Sequence, residues 1–231
     1  MKKLPVGRSG DHIHLVTDGQ KTRVVLVESE YRFAFELKNA ARVMAKKARS
    51  ISDKDSYELL AFVTGAVTLS YSYLEAALNE FIFLNATAQE SHLNESEKAI
   101  VSAIASEDLR PQGRQNTLQL FNTILRLLRK PQLTENKEPY QSANLVRCLR
   151  NLLVHPVPGR VITFSEDPNS NLSEQQQIVK QLRSHLGFGR NATFPRDVLN
   201  SRCATWAVAS CERFLHEFVK QSGVDPGFIT E

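Results

Sequence analysis

Between Glu58 and Glu75 the chain carries no charge. Leu59 to Leu74 is its longest uncharged run, 16 residues, and that run limits what the molecule can become. It is too long for an ordinary strand. With Thr64, Gly65, Thr68, Ser70 and Ser72 inside it, it also falls short of a bilayer span, which needs about 20 mainly apolar residues. The remaining solution is a central helix covered by its neighbours, so the expected protein has no membrane partner.

The rest of the chain supplies those neighbours. Helical spacing of Phe33, Phe35, Leu37, Ala40, Val43 and Met44 predicts a helix over Glu30–Arg49. Ser52 or Asp53 is a plausible cap for the central helix, expected from about Asp55 to Thr87. Further helices are predicted at Glu95–Ala105, Gln115–Arg129, Ser142–Val154, Ser173–Leu186 and Pro195–Gln221, with Pro195 in the first turn of the last. Before all of these, His12–Val16 and Thr22–Val27 are β-prone runs around Asp18-Gly19, a pair with hairpin chemistry. Arg160–Phe164 reads as one more short strand. The expected fold is therefore mostly α: residues 1–28 form a β-hairpin appendage and residues 29–231 a helical domain.

Charge and cysteine content narrow the function classes only slightly. A net charge of +4 on 231 residues admits a polyanionic partner without requiring one. Cys148, Cys203 and Cys211 form no C-x-x-C pair, which argues against a zinc site or a disulfide framework. The latter two suit small buried positions on the last helix. A reducing compartment, the cytoplasm, is the expected location. His12 and His14 alternate with apolar residues and read as a solvent face rather than a metal pair, and Trp206 reads as core. No P-loop, G-x-G-x-x-G, H-E-x-x-H or G-x-S-x-G string occurs, and neither a metal nor a cofactor is expected.

The chemistry concentrates in Arg150-Asn151-Leu152-Leu153-Val154-His155-Pro156. Leu145, Leu149, Leu152 and Leu153, with Val146 at the edge, make one face of an amphipathic helix; Asn144, Arg147 and Asn151 fall on the other, flanked by Arg150. Arginine grips a phosphate through a bidentate fork, and histidine moves protons near neutral pH. Arg150 and His155 stand about 140° apart on an ideal helix. Pro156, however, pushes His155 out of the α region, so the helix ends there and the imidazole can swing toward the polar face. That places it at the negative end of the helix dipole, a setting suited to a proton donor. A simpler reading stands beside this one: a histidine before proline as a helix terminator, with solvated arginines behind it.

The R-N-x-x-x-H string resembles the signature of the HEPN superfamily of helical, mostly RNA-directed proteins. Ser72–Phe81 similarly resembles the long early helix of such domains. The resemblance implies a four- to five-helix antiparallel bundle that dimerises, bringing two motifs together. It implies a metal-independent endoribonuclease of a toxin-antitoxin or phage-defence system, with RNA as substrate and an antitoxin or defence protein as a possible partner. Arg150 and His155 would be the catalytic pair and Asn151 their polar support. Arg147 is the best additional phosphate ligand. Tyr73 is a candidate for stacking on a base, or else a core aromatic, and Glu75 either faces the motif or lies at the core's edge. The chain departs from the resemblance in two ways. Val157 stands where toxins paired with nucleotidyltransferase antitoxins often carry tyrosine, and the two β segments lie outside the minimal bundle. A non-catalytic RNA- or nucleotide-binding module, or a protein-interaction module, is the alternative.

Overall fold

The computed structural model describes residues 12–18, 21–28, 33–53, 56–87, 93–106, 116–155, 174–188 and 194–224, the first two segments as backbone. The chain divides into two units, Met1–Arg32 and Phe33–Glu231. In the first, β1 (His12–Asp18) pairs antiparallel with β2 (Lys21–Glu28). Ile13 stands opposite Val27 and Val16 opposite Arg23, with an irregularity between His14 and Leu15. The side chains of His12 and His14, the residue Gly19, the segment Arg160–Phe164 and Val157 lie outside the described residues.

The second unit is helical: α1 (Phe33–Ser50), α2 (Tyr57–Thr87), α3 (Glu95–Ala105), α4 (Thr117–Leu127), α5 (Tyr140–Val154), α6 (Glu174–Leu186) and α7 (Ser201–Ser222). α2 is the hub, in contact with α1, α3, α4, α5 and α7. By length and composition alone, Tyr57–Ala86 would suffice to cross a membrane, more than the uncharged run by itself suggests. Here Val63, Val67, Leu74, Leu78 and Phe81 are instead buried against other helices.

Local chemistry explains where the helices start and stop. Asn94 and Asn116 each build a capping box, with Glu97 and Gln119 as the reciprocal partners. α7 begins six positions later than Pro195 suggests. Asn200 accepts hydrogen bonds from the Arg202 and Cys203 backbone N–H groups, and this cap, rather than the proline, sets the start. Its far end is closed by Gly223 at φ 76°, a left-handed conformation that glycine adopts without a Cβ clash.

α1 turns a different face inward from the one its aromatics suggest. Phe33 and Val43 are 51% and 55% exposed, while Ala34, Lys38, Ala41, Ala45 and Ala48 are buried. Their spacing of four and three residues makes a narrow seam, and its small side chains let helix backbones come close. The Ala34 N–H donates to Glu80 Oε1 at 2.7 Å, and Met44 lies against Gly65, where an added Cβ would sit 3.5 Å from its side chain. α1 and α2 therefore run antiparallel. By contrast Phe81 packs on Phe218, and Tyr73 lies near Glu212, so α2 and α7 run in the same sense. An antiparallel bundle throughout, as the resemblance implied, is not what this chain forms.

The centre of the core is aromatic. Phe121 stacks edge-on against Phe214 and Phe218, with centroids at 5.3 and 4.6 Å, and Tyr140 meets Phe214 at 5.8 Å. Such pairs add about 0.5–1.5 kcal/mol each beyond the area they bury. They tie α4, α5 and α7 into one block. Trp206 is only partly buried, at the rim of the core beside His185.

Candidate functional site

α5 carries the R-N-x-x-x-H string, and one side chain of α4 pins the segment before it. Asn122 of α4 accepts from the Leu133 N–H at 2.9 Å and donates to the Leu133 carbonyl at 2.8 Å. Both residues are buried, so the connection toward α5 is pinned inside the unit. α5 starts at Tyr140, two residues before the expected Ser142, and buries Tyr140, Ser142, Ala143, Leu145, Val146 and Leu149. The inward face is thus rotated from the expected one. Val146 is wholly buried, while Leu152 and Leu153 are only half-buried near the helix end.

The polar side of α5 is organised rather than freely solvated. Arg147 donates from Nε to Asn144 Oδ1 at 2.9 Å and from a terminal nitrogen to Cys148 Sγ at 3.4 Å. Arg150 donates to Asn151 Oδ1 at 3.2 Å, and its Cζ lies 6.0 Å from the centre of the Tyr71 ring. Arg150 Nε is buried and meets no hydrogen-bond partner among the described residues. With only one hydrogen bond among those residues, to Asn151, the terminal nitrogens of this guanidinium have donor capacity to spare for an acceptor, and an oxyanion is the best one.

Tyr71 is the residue that sequence reasoning missed. Burial raises its phenol above the usual tyrosine range, with Glu75 adding to the shift, while a hydrogen bond with Thr117 and the charge of Arg147 oppose it. Tyr71 thus links Arg147 and Arg150 to Glu75, one turn on along α2. The signal was present as a tyrosine and a glutamate at i,i+4 on one helix face.

Tyr73 goes elsewhere. Two residues along a helix is a turn of about 200°, which carries it away from Tyr71 and into the company of Arg42 and Glu212. It is 3% exposed, so no face remains for a nucleobase, and the stacking expectation is corrected in favour of the core-aromatic reading.

His155 ends the helix. Its N–H bonds to the Asn151 carbonyl at 2.9 Å, and its backbone leaves the helical region at φ −123°, ψ 64°. The residue is exposed. The structure therefore brings Arg147, Arg150, Asn151, Tyr71 and Glu75 into one neighbourhood, with His155 at its exposed end. Among the described residues, no group of three or more His, Cys, Asp and Glu side chains is arranged to hold a metal ion. Comparison with protein-family models, with curated proteins and with solved structures finds no match for this chain.

Proposed function

We propose that this chain is a metal-independent endoribonuclease of HEPN type, acting in a toxin-antitoxin or phage-defence setting. The observation that carries the reading is Arg150: a half-buried guanidinium beside Asn151 and above Tyr71, with Nε unpartnered among the described residues. A cation oriented in this way suits the charge that develops on a phosphorane.

In the proposed reaction one His155 takes the proton from a ribose 2′-OH, and that oxygen attacks the adjacent phosphorus. A second histidine protonates the departing 5′ oxygen. Each chain has one such motif, so the second histidine comes from another copy across a two-fold axis. Arg150 of each copy steadies the phosphorane, Asn151 holds Arg150, and Arg147 adds a phosphate contact. DNA, lacking the 2′-OH, is not cut.

A binding-only module is the second reading. The exposure of His155 favours it, since no described residue holds the imidazole in place.

Incubating the purified chain with RNA in EDTA separates the two. Cleavage leaving 2′,3′-cyclic phosphate and 5′-hydroxyl ends, lost in His155→Ala with helicity retained, is the expected result. RNA binding without cleavage would leave the binding module. Cleavage restored only by added magnesium would end the metal-free mechanism.

A further inference from the structure

A second region of the helical unit has the makings of a ligand site, and it lies apart from the R-N-x-x-x-H string. A cavity of about 690 Å³ opens between α1, α2 and α7, with Pro139 on its wall. Small-molecule sites typically enclose about 300–1,000 Å³. Of the lining residues Tyr73 is nearly inaccessible, and its hydroxyl is buried without a hydrogen-bond partner among the described residues. Burial and then the nearby Glu212 carboxylate push this phenol well above its ordinary range, so it stays protonated and can donate.

The wall around it is rich in donors. Lys38 and Arg42 reach it from α1 and Arg213 from α7. Lys38 is 7% exposed, an unusual degree of burial for a lysine. The carboxylates on the same wall already have protein donors. Glu212 accepts from Arg42 Nε at 2.6 Å, Glu217 from Gln221 at 2.7 Å, and Glu138 from Ser142 at 2.6 Å. Those three carboxylates balance the three cations of the wall in charge, and the donors still open toward an acceptor oxygen are the Tyr73 hydroxyl and the guanidinium nitrogens of Arg42 and Arg213 beyond Nε. The volume exceeds what a bare inorganic ion would fill, while Pro139 and the aliphatic stems of the basic residues offer apolar surface.

We propose that the α1–α2–α7 cavity binds a small organic anion, an acidic oxygen group on an apolar body that accepts hydrogen bonds donated by the Tyr73 hydroxyl and the Arg42 and Arg213 guanidinium groups. A carboxylate and a phosphate monoester share that chemistry. The site is independent of the RNA reaction proposed above.

Calorimetric titration of the full chain tests it with four probes: benzoate, phenyl phosphate, benzyl alcohol and benzylamine. The anions should bind and the neutral and cationic analogues should not. Tighter binding of benzoate or of phenyl phosphate identifies the preferred head group. Tyr73→Phe, which removes one hydroxyl, and Arg213→Ala, on the exposed side, should each weaken the anion by about tenfold. The Arg150→Ala/His155→Ala double variant should bind as the wild type does. No anion binding, equal binding of all four probes, or an affinity unmoved by both cavity variants would overturn the proposal. So would loss of binding in the double variant, which would place the probe at the other site.

Discussion

Arg150 stands over the ring of Tyr71, its guanidinium carbon 6.0 Å from the ring centre. The two residues come from different helices, α5 and α2, so the orientation of the arginine depends on tertiary packing as well as on its own helix. If Arg150 serves RNA cleavage, Tyr71→Phe should keep most of the single-turnover rate because the ring remains. Tyr71→Leu should lower it by roughly 3- to 30-fold, the scale of a partly desolvated cation–π contact. Equal rates in the leucine variant and the wild type would show that the ring plays no part. Far-UV circular dichroism of each variant separates this effect from loss of fold.

The second histidine of the proposed reaction comes from another copy of the chain, and subunit exchange can detect it. Wild type mixed with excess Arg150→Ala/His155→Ala protein should lose activity per wild-type chain as mixed dimers form. If exchange is verified and activity per wild-type chain stays constant, each chain works alone.

Asn122 holds both backbone groups of Leu133. Asn122→Ala leaves a buried N–H and a buried carbonyl unpaired, which should cost about 2–4 kcal/mol of stability. The measurement is a lowered urea midpoint with an unchanged denaturant slope. A loss below about 0.5 kcal/mol would mean that water reaches Leu133 in place of the side chain.

Alkaline pH should destabilise the fold for an identifiable reason. Burial pushes the Cys203 thiol up to about 12 from its ordinary 9.0, and burial, followed by the Glu135 charge, pushes the Tyr140 phenol up to about 12 from 10.0. Cys211 shifts in the same direction through burial. Above about pH 9 the unfolded chain releases protons that the folded chain retains, so stability falls as pH rises toward 12; below that window these groups contribute no slope. Urea unfolding from pH 7.5 to 11 should show the decline, and Cys203→Ala should flatten it. A profile unchanged by that substitution would remove the thiol from the account.

Much of the helical plan is readable from residue order because it rests on local rules. α3 matches the expected Glu95–Ala105, and α5 ends at Val154 as Pro156 demands. The misreadings have a common cause, which is that tertiary packing chose between locally equivalent faces. On α1 the aromatics are the more hydrophobic set, yet the alanines are the set that fits against a neighbouring helix. On α2 Tyr71 and Tyr73 are both tyrosines in an uncharged run, and only the positions of α5 and α7 decide which one meets Arg150. At α7 a proline rule and an asparagine cap competed, and the cap's two hydrogen bonds prevailed. On α5 the buried face was set by packing against α2, α4, α6 and α7, which no helical wheel of α5 contains. The Arg150–Asn151 pairing was legible because the two residues are adjacent; the tyrosine beneath them was not.

The buried seam of α1 has a bearing on kinship. Ala34, Ala41, Ala45 and Ala48 are buried, so a larger side chain at any of them would press on the packing of that helix against its neighbours. Descendants of this chain could vary the exposed Val43 and still keep the architecture, but they would have to conserve smallness at those four places. A spaced row of tiny residues would then be the longer-lived ancestral mark, persisting even where a lineage had discarded its arginine and histidine.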